Sequence, residues 1–434
     1  MKKVATVVFF VLFCQVLFAE QIVKEFSFGD TKKQRAVIAL KQALPYTEAK
    51  GYGFEFFTEK NVRIDRKSKH LFSDKPFYFS VKVPEGNYKI TISYDGLSDK
   101  PYQSTVRSES RRLQIENQEV VPNKCVQKTF IVHLKDPKIS SGGRVELKKP
   151  REQQKLDWDD KLTLEFQQTN CISAIRIEAM SNVTTVFLAG NSTVVNQEDE
   201  PWASWGQMIP RFFDAGVAIA NHAESGLALS SFLSSRRLDK ILSVAKNGDY
   251  LFIEFGHNDQ KQKGEAAGAY KGYSERLRYF VNEFRAKGGI PVILTSTARR
   301  LFDQQGNLVH TLGDFPDAAR KVAAELQVPL IDLNNKTSIF YEALGVEGSK
   351  KAFVHYPAST FPNQENALAD NTHFNPYGAY EIAKMVLMGI KENKLVISGN
   401  MVDFNGFDPY HPDDFKTWYW PPSLINSVIK PDGN

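Results

Sequence analysis

The feature that most constrains this chain is a change of hydrophobic texture near residue 180. Before it, short segments of period-two alternation are broken by Gly, Pro, Asn and Asp. Examples are 77–83, then Pro84-Glu85-Gly86-Asn87, then 88–94, with further runs at 129–134, 161–166 and 174–179. Alternation with frequent turns and almost no helical periodicity predicts an antiparallel β-sandwich over residues 20–180. After it, apolar runs at 184–188, 217–220, 250–255, 291–295 and 328–331 alternate with helical stretches at 205–213, 228–245, 270–287, 317–326 and 377–391. Near-continuous apolar strands separated by helices predict a five-stranded parallel sheet covered on both faces, over residues 181–395. The last stretch, 396–434, carries Trp418, Tyr419 and Trp420 in a row and is expected to pack back onto the preceding domain.

A 434-residue chain with 42% apolar and 24% charged residues fits two such units. Lys2 and Lys3 precede an apolar run from Val4 to Phe18 and then Ala19. That pattern reads as a signal peptide over 1–19 and predicts a secreted or periplasmic protein with no stable membrane association once the leader is removed. Phe13 before Cys14 is too bulky for lipoprotein processing. The net charge of +5 is too weak for a nucleic-acid binder, and no Lys/Arg stripe is present. Cys125 and Cys171 could form one disulfide in an exported protein or stay as thiols. Nothing in the sequence sets the oligomeric state. The Phe-Tyr-Phe-Ser-Val-Lys-Val-Pro-Glu-Gly-Asn-Tyr stretch at 77–88 resembles the galactose-binding-like modules attached to carbohydrate-active enzymes. A purely structural sandwich is the equal alternative.

Four segments carry residues with chemical potential. The run Val186-Phe187-Leu188-Ala189-Gly190-Asn191-Ser192-Thr193 leads an apolar strand into a turn and a serine. Ligands of open α/β sheets bind outside the carboxyl ends of the strands, so Ser192 would face the crevice; taken alone, a Ser after Gly-Asn is more often a turn or a helix cap. Asn221-His222-Ala223-Glu224-Ser225-Gly226 follows the second strand, and Gly226 permits close backbone approach. Phe255-Gly256-His257-Asn258-Asp259 ends the third, where Asn258 could donate to an oxyanion. Asp370-Asn371-Thr372-His373 precedes the last helix, and a spacing of three lets the carboxylate orient the imidazole. There is no His-Glu-x-x-His, cysteine cluster or third ligand at metal-binding spacing, so neither a metal nor an organic cofactor is implied.

In this order the four segments resemble the SGNH (GDSL-type) hydrolases, a three-layer α/β/α, flavodoxin-like family. Within it, Gly-Asn-Ser-Thr-Val, Trp205-Gly206-Gln207, Gly-His-Asn-Asp-Gln and Thr-His-Phe-Asn resemble the rhamnogalacturonan acetylesterases over roughly 183–395. The resemblance implies Ser192 as nucleophile, His373 as base and Asp370 as its orienting acid. It implies an oxyanion hole of the Ser192 N–H, Gly226 and Asn258. It further implies acetylated pectic polysaccharide as the substrate. Acetylated xylan, lipid esters, or non-catalytic carbohydrate binding are the alternatives. Two positions depart from the family pattern: Asn191 stands where Asp is usual, and Leu227 where Arg is common. His257 lies beside the site, with a structural or substrate-contacting part equally open.

Overall fold

The computed structural model describes residues 23–29, 37–96, 100–148, 150–425 and 429–432; the expected leader at 1–19, with Cys14, lies outside them. The amino-terminal strands form two sheets. One orders Cys125–Leu134, Gly86–Asp95, Asn170–Met180, Val23–Phe28 and Val37–Leu40, and the other Tyr52–Glu55, Phe77–Lys82, Lys161–Gln168, Tyr102–Ser108 and Arg112–Val120. Their inward-facing side chains share one core. Phe26 of the first sheet meets Phe79 of the second edge-to-face, with centroids 5.0 Å apart. The pairing is antiparallel except between Val23–Phe28 and Val37–Leu40, which run parallel.

No disulfide joins Cys125 to Cys171. The strand Gly86–Asp95 runs between theirs, and two strand spacings, about 9–10 Å, exceed the roughly 7 Å that a disulfide can bridge. Cys125 Sγ donates instead to Asp95, while Cys171 is buried in the core.

The second unit is built on β1 (Thr184–Gly190), β2 (Val217–Asn221), β3 (Tyr250–Glu254), β4 (Ile290–Leu294) and β5 (Leu330–Ile331), all parallel in the order β2-β1-β3-β4-β5. Successive residues of each strand enter opposite cores. Val186, Leu188, Phe252 and Val292 pack with α1 (Trp205–Met208), α6 (Leu333–Gly348) and α7 (Pro376–Glu392). Phe187, Ala189, Leu251 and Ile293 pack with α2 (Leu229–Ser234), α3 (Arg237–Val244), α4 (Ser274–Ala286) and α5 (Phe315–Leu326). Two-sided burial is why these strands read as continuous apolar runs.

Three helical stretches differ from expectation. The 205–213 stretch is α-helical only to Met208 and then tightens to a 3₁₀ turn around Pro210, whose missing N–H and ring prevent continuation. The 228–245 stretch is two helices broken at Arg236, whose φ is 61°. Helix α6 was not legible because it opens on Asn334, Asn335, Thr337 and Ser338, all weak helix formers; Asp332 caps it by accepting from Asn335 N. A two-stranded antiparallel sheet, β6 (Phe353–Tyr356) and β7 (Leu368–Phe374), also precedes α7.

Trp418 and Trp420 stack with centroids 6.1 Å apart and pack against the α1/α6/α7 core. The Arg107 guanidinium lies 3.7 Å over the Trp420 ring, and Trp420 Nε1 donates to Glu200 at 2.8 Å. The amino-terminal sheet, the parallel-sheet unit and the terminal stretch therefore meet at one point.

Candidate active site

The strand order reverses at β1, since the chain passes from β1 to β2 on one side and then to β3 on the other. A crevice opens outside the carboxyl ends at such a reversal, and Ser192 lies two residues beyond the end of β1. Its turn is held from several sides. Asn191 Oδ1 accepts from Thr193 N at 3.1 Å and from Thr193 Oγ1 at 3.0 Å. The Ser192 carbonyl accepts from Ser204 Oγ and Gln197 Nε2. Asn191, the departure from Asp, thus serves as a hydrogen-bond acceptor within the turn.

His373 is the penultimate residue of β7, beside Phe374, which pairs with Phe353 of β6. Its Nδ1 lies 2.7 Å from Asp370 Oδ2, and Nε2 lies 3.0 Å from Ser192 Oγ. A carboxylate accepts only, so Nδ1 carries the proton and Nε2 is left to accept from the serine hydroxyl. Asp370 Oδ1 takes the backbone N–H groups of Thr372 and His373 at 2.9 and 3.0 Å. Burial opposes the Asp370 charge. The His373 side chain and these two N–H groups outweigh it and hold the carboxyl below its usual range.

Asn258 follows β3. Its Nδ2 donates to the Leu227 carbonyl at 3.0 Å, and its Oδ1 lies 3.5 Å from Lys261 Nζ. An amide nitrogen has two hydrogens, so one remains to aim elsewhere. Leu227 sends its side chain into the α2–α5 core. Gly226 has φ +79°, a left-handed conformation suited to glycine, and a Cβ there would stand 2.9 Å from Lys148 Nζ and 3.0 Å from Asp432 Cβ. Asn221 ties the end of β2 to the segment after Ser192, donating to Val194 O at 2.7 Å and Asn196 Oδ1 at 2.9 Å.

His257 is fully buried. That burial, with the positive charge of Arg299, pushes its imidazole down to about 3. Among the described residues no group of three or more His, Cys, Asp or Glu could hold a metal ion, and no helix is long and apolar enough to cross a membrane.

Glu254 was not singled out from sequence, yet it sits directly behind the serine turn. It accepts from Thr193 Oγ1 at 2.9 Å and Trp205 Nε1 at 2.6 Å. Burial pushes its carboxyl up to about 7. The available signal was a lone carboxylate closing the apolar strand Tyr250–Glu254. Lys430 also went unmarked. It arrives from the carboxyl-terminal stretch with Nζ 3.5 Å from Asp370 Oδ2, and no local pattern announces that approach.

A family model described as the GDSL-like Lipase/Acylhydrolase family matches residues 188–379. Rhamnogalacturonan acetylesterase RhgT of Bacillus subtilis (strain 168) is 43% identical over 229 residues, covering 52% of this chain and 98% of that protein. Probable rhamnogalacturonan acetylesterase YesY of the same organism is 33% identical over 223 residues, covering 50% and 97%. Uncharacterized esterase YxiM, also from Bacillus subtilis (strain 168), is 25% identical over 394 residues and covers 86% of this chain and 92% of its own length. Its alignment therefore extends into the amino-terminal sheets as well. The chain belongs to the GDSL-like lipase/acylhydrolase family, the SGNH hydrolases, and is a carboxylic ester hydrolase.

Proposed function

We propose that the protein removes acetyl groups from pectic polysaccharide, the rhamnogalacturonan region above all, through a Ser192 acyl-enzyme. The observation that carries this is the continuous relay from Asp370 Oδ2 to His373 Nδ1 at 2.7 Å and from His373 Nε2 to Ser192 Oγ at 3.0 Å. The two named rhamnogalacturonan acetylesterases, matched over nearly their whole length, support the substrate class.

Neutral His373 accepts the Ser192 proton as Oγ attacks the acetyl carbonyl. Asp370 holds the ring tautomer and stabilises the imidazolium. The Ser192 and Gly226 N–H groups and the second Asn258 Nδ2 hydrogen receive the oxyanion. The imidazolium returns its proton to the departing sugar oxygen. Water then repeats both steps on the acetyl-enzyme. In this reading the unit over 20–180 is a galactose-binding-like sandwich, 181–395 the esterase domain and 396–434 its packed extension. The leader over 1–19 delivers the enzyme outside the cytoplasm, where such polymers are met.

The test is mass spectrometry of acetylated rhamnogalacturonan and xylan oligomers, before and after treatment with wild-type enzyme and Ser192→Ala. Loss of acetyl mass from the pectic oligomers with wild type alone is expected. Equal release by Ser192→Ala would remove the mechanism, and release from xylan alone would remove the substrate.

A further inference from the structure

Three cations reach the catalytic groups from three different elements. Lys261, on the turn after β3, stands 3.5 Å from Asn258 Oδ1. Arg299, beyond the end of β4, donates Nη2 to the His257 carbonyl at 3.3 Å and Nη1 to Gln260 Oε1 at 2.9 Å. Its third partner is Thr311 Oγ1, so these hydrogen-bond acceptors are all neutral. Lys430 stands 3.5 Å from Asp370 Oδ2, an oxygen already engaged by His373. Arg299 and Lys261 thus hold the same turn, 257–261, and burial, followed by repulsion from Arg299 and then Lys430, lowers the Lys261 ammonium from its usual range. Arg299 also lines a cavity of about 320 Å³ with His310 and the Arg320–Asp317 ion pair.

Cations gathered at the mouth of an esterase site repel one another, and their repulsion falls when an anion enters. Acetic ester hydrolysis needs none of them, since the oxyanion is met by neutral donors. We propose that Lys261, Arg299 and Lys430 form a carboxylate-binding site beside Ser192 that holds a uronate residue of the acetylated polysaccharide. This deepens the acetylesterase reading and rests on it. The carboxyl-terminal stretch is then part of the substrate site, delivering Lys430 to complete it. Charge-assisted contacts of this kind discriminate by about tenfold each against a neutral analogue.

The experiment compares two acetylated oligosaccharides. One has alternating rhamnose and galacturonic acid; the other is the same oligomer with its carboxyl groups reduced to primary alcohols. The quantity read is the ratio of their kcat/KM values. Wild type should favour the acidic oligomer by about tenfold or more, and the preference should shrink as salt is raised. Lys261→Met/Lys430→Met should bring the ratio close to one, whereas Lys430→Arg should retain it. A wild-type ratio near one, or a double variant with the wild-type ratio, overturns the site while leaving the acetylesterase reading intact. Failure of wild type to release acetate from either oligomer overturns both.

Discussion

Ser192 Oγ and His373 Nε2 lie 3.0 Å apart although 181 residues separate them in the chain. The serine rides on the turn leaving β1, and the histidine on the last residues of β7, which is neither in nor beside the parallel sheet in sequence. Both are almost fully enclosed, so their separation is set by packing rather than by side-chain freedom. Asp370 completes the arrangement from the same strand as His373, with one carboxylate oxygen held by backbone N–H groups and the other on the ring.

Asp370→Asn should therefore leave the fold intact and cut turnover severely. An amide facing Nδ1 can present N–H in place of an acceptor, favouring the wrong ring tautomer. The corresponding change in a serine protease triad costs about 10⁴ in kcat. Steady-state hydrolysis of nitrophenyl acetate, with circular dichroism as the folding control, measures it. A loss under tenfold would show that Asp370 does not orient the base.

Asn258→Ala should lower kcat by about 10²–10³ with a much smaller change in KM. The residue has one Nδ2 hydrogen on Leu227 O and one to spare. If the variant instead raised KM and preserved kcat, Asn258 would be a ground-state binding group and not an oxyanion donor.

Glu254→Leu removes the acceptor for Trp205 Nε1 and one of two for Thr193 Oγ1. An orphaned buried donor costs about 1–3 kcal/mol, so urea unfolding should show a loss of that size. Turnover should fall as well, because the Thr193 side of the serine turn is released. Stability within about 0.5 kcal/mol of wild type would mean that the strand-end carboxylate does not brace the turn.

His257 supplies a pH prediction. In the unfolded chain its imidazole takes a proton below about 6.5, whereas the folded form resists until about 3. The unfolded state therefore binds more protons across that window, and stability falls as pH drops through it. From pH 6.5 to pH 5 this group accounts for about 2 kcal/mol. Glu254, raised to about 7, has the opposite slope between about 4.5 and 7, so the informative quantity is the difference between wild type and His257→Gln. Denaturant unfolding at the two pH values should give the variant the smaller acid loss. Parallel curves would exclude His257 as a buried neutral group.

The residues of the candidate site were legible because strand-end chemistry is local. Gly190-Asn191-Ser192, Gly256-His257-Asn258 and Asp370-x-x-His373 each follow or close an apolar run, and the alternation of such runs with helices specifies a parallel sheet through two-sided burial. The switch from period-two segments to strand–helix units near residue 180 is likewise a property of neighbouring residues. The helix that begins at Leu333 escaped because its first turns are polar and weakly helical, and packing against α7 in a shared core overrides that propensity.

Tertiary structure alone decided which distant groups meet. The order of strands put Gly86–Asp95 between the strands of Cys125 and Cys171 and so kept those thiols apart. The fold also brought His373, held by Asp370, up to Ser192. Anchoring of the terminal stretch through Trp420 and Ser423, both bound to Glu200, precedes the arrival of Lys430 at Asp370. Local sequence carries periodicity and turn chemistry over a few residues. Contacts separated by hundreds of residues arise only when apolar faces are buried together, and no short pattern records which faces those will be.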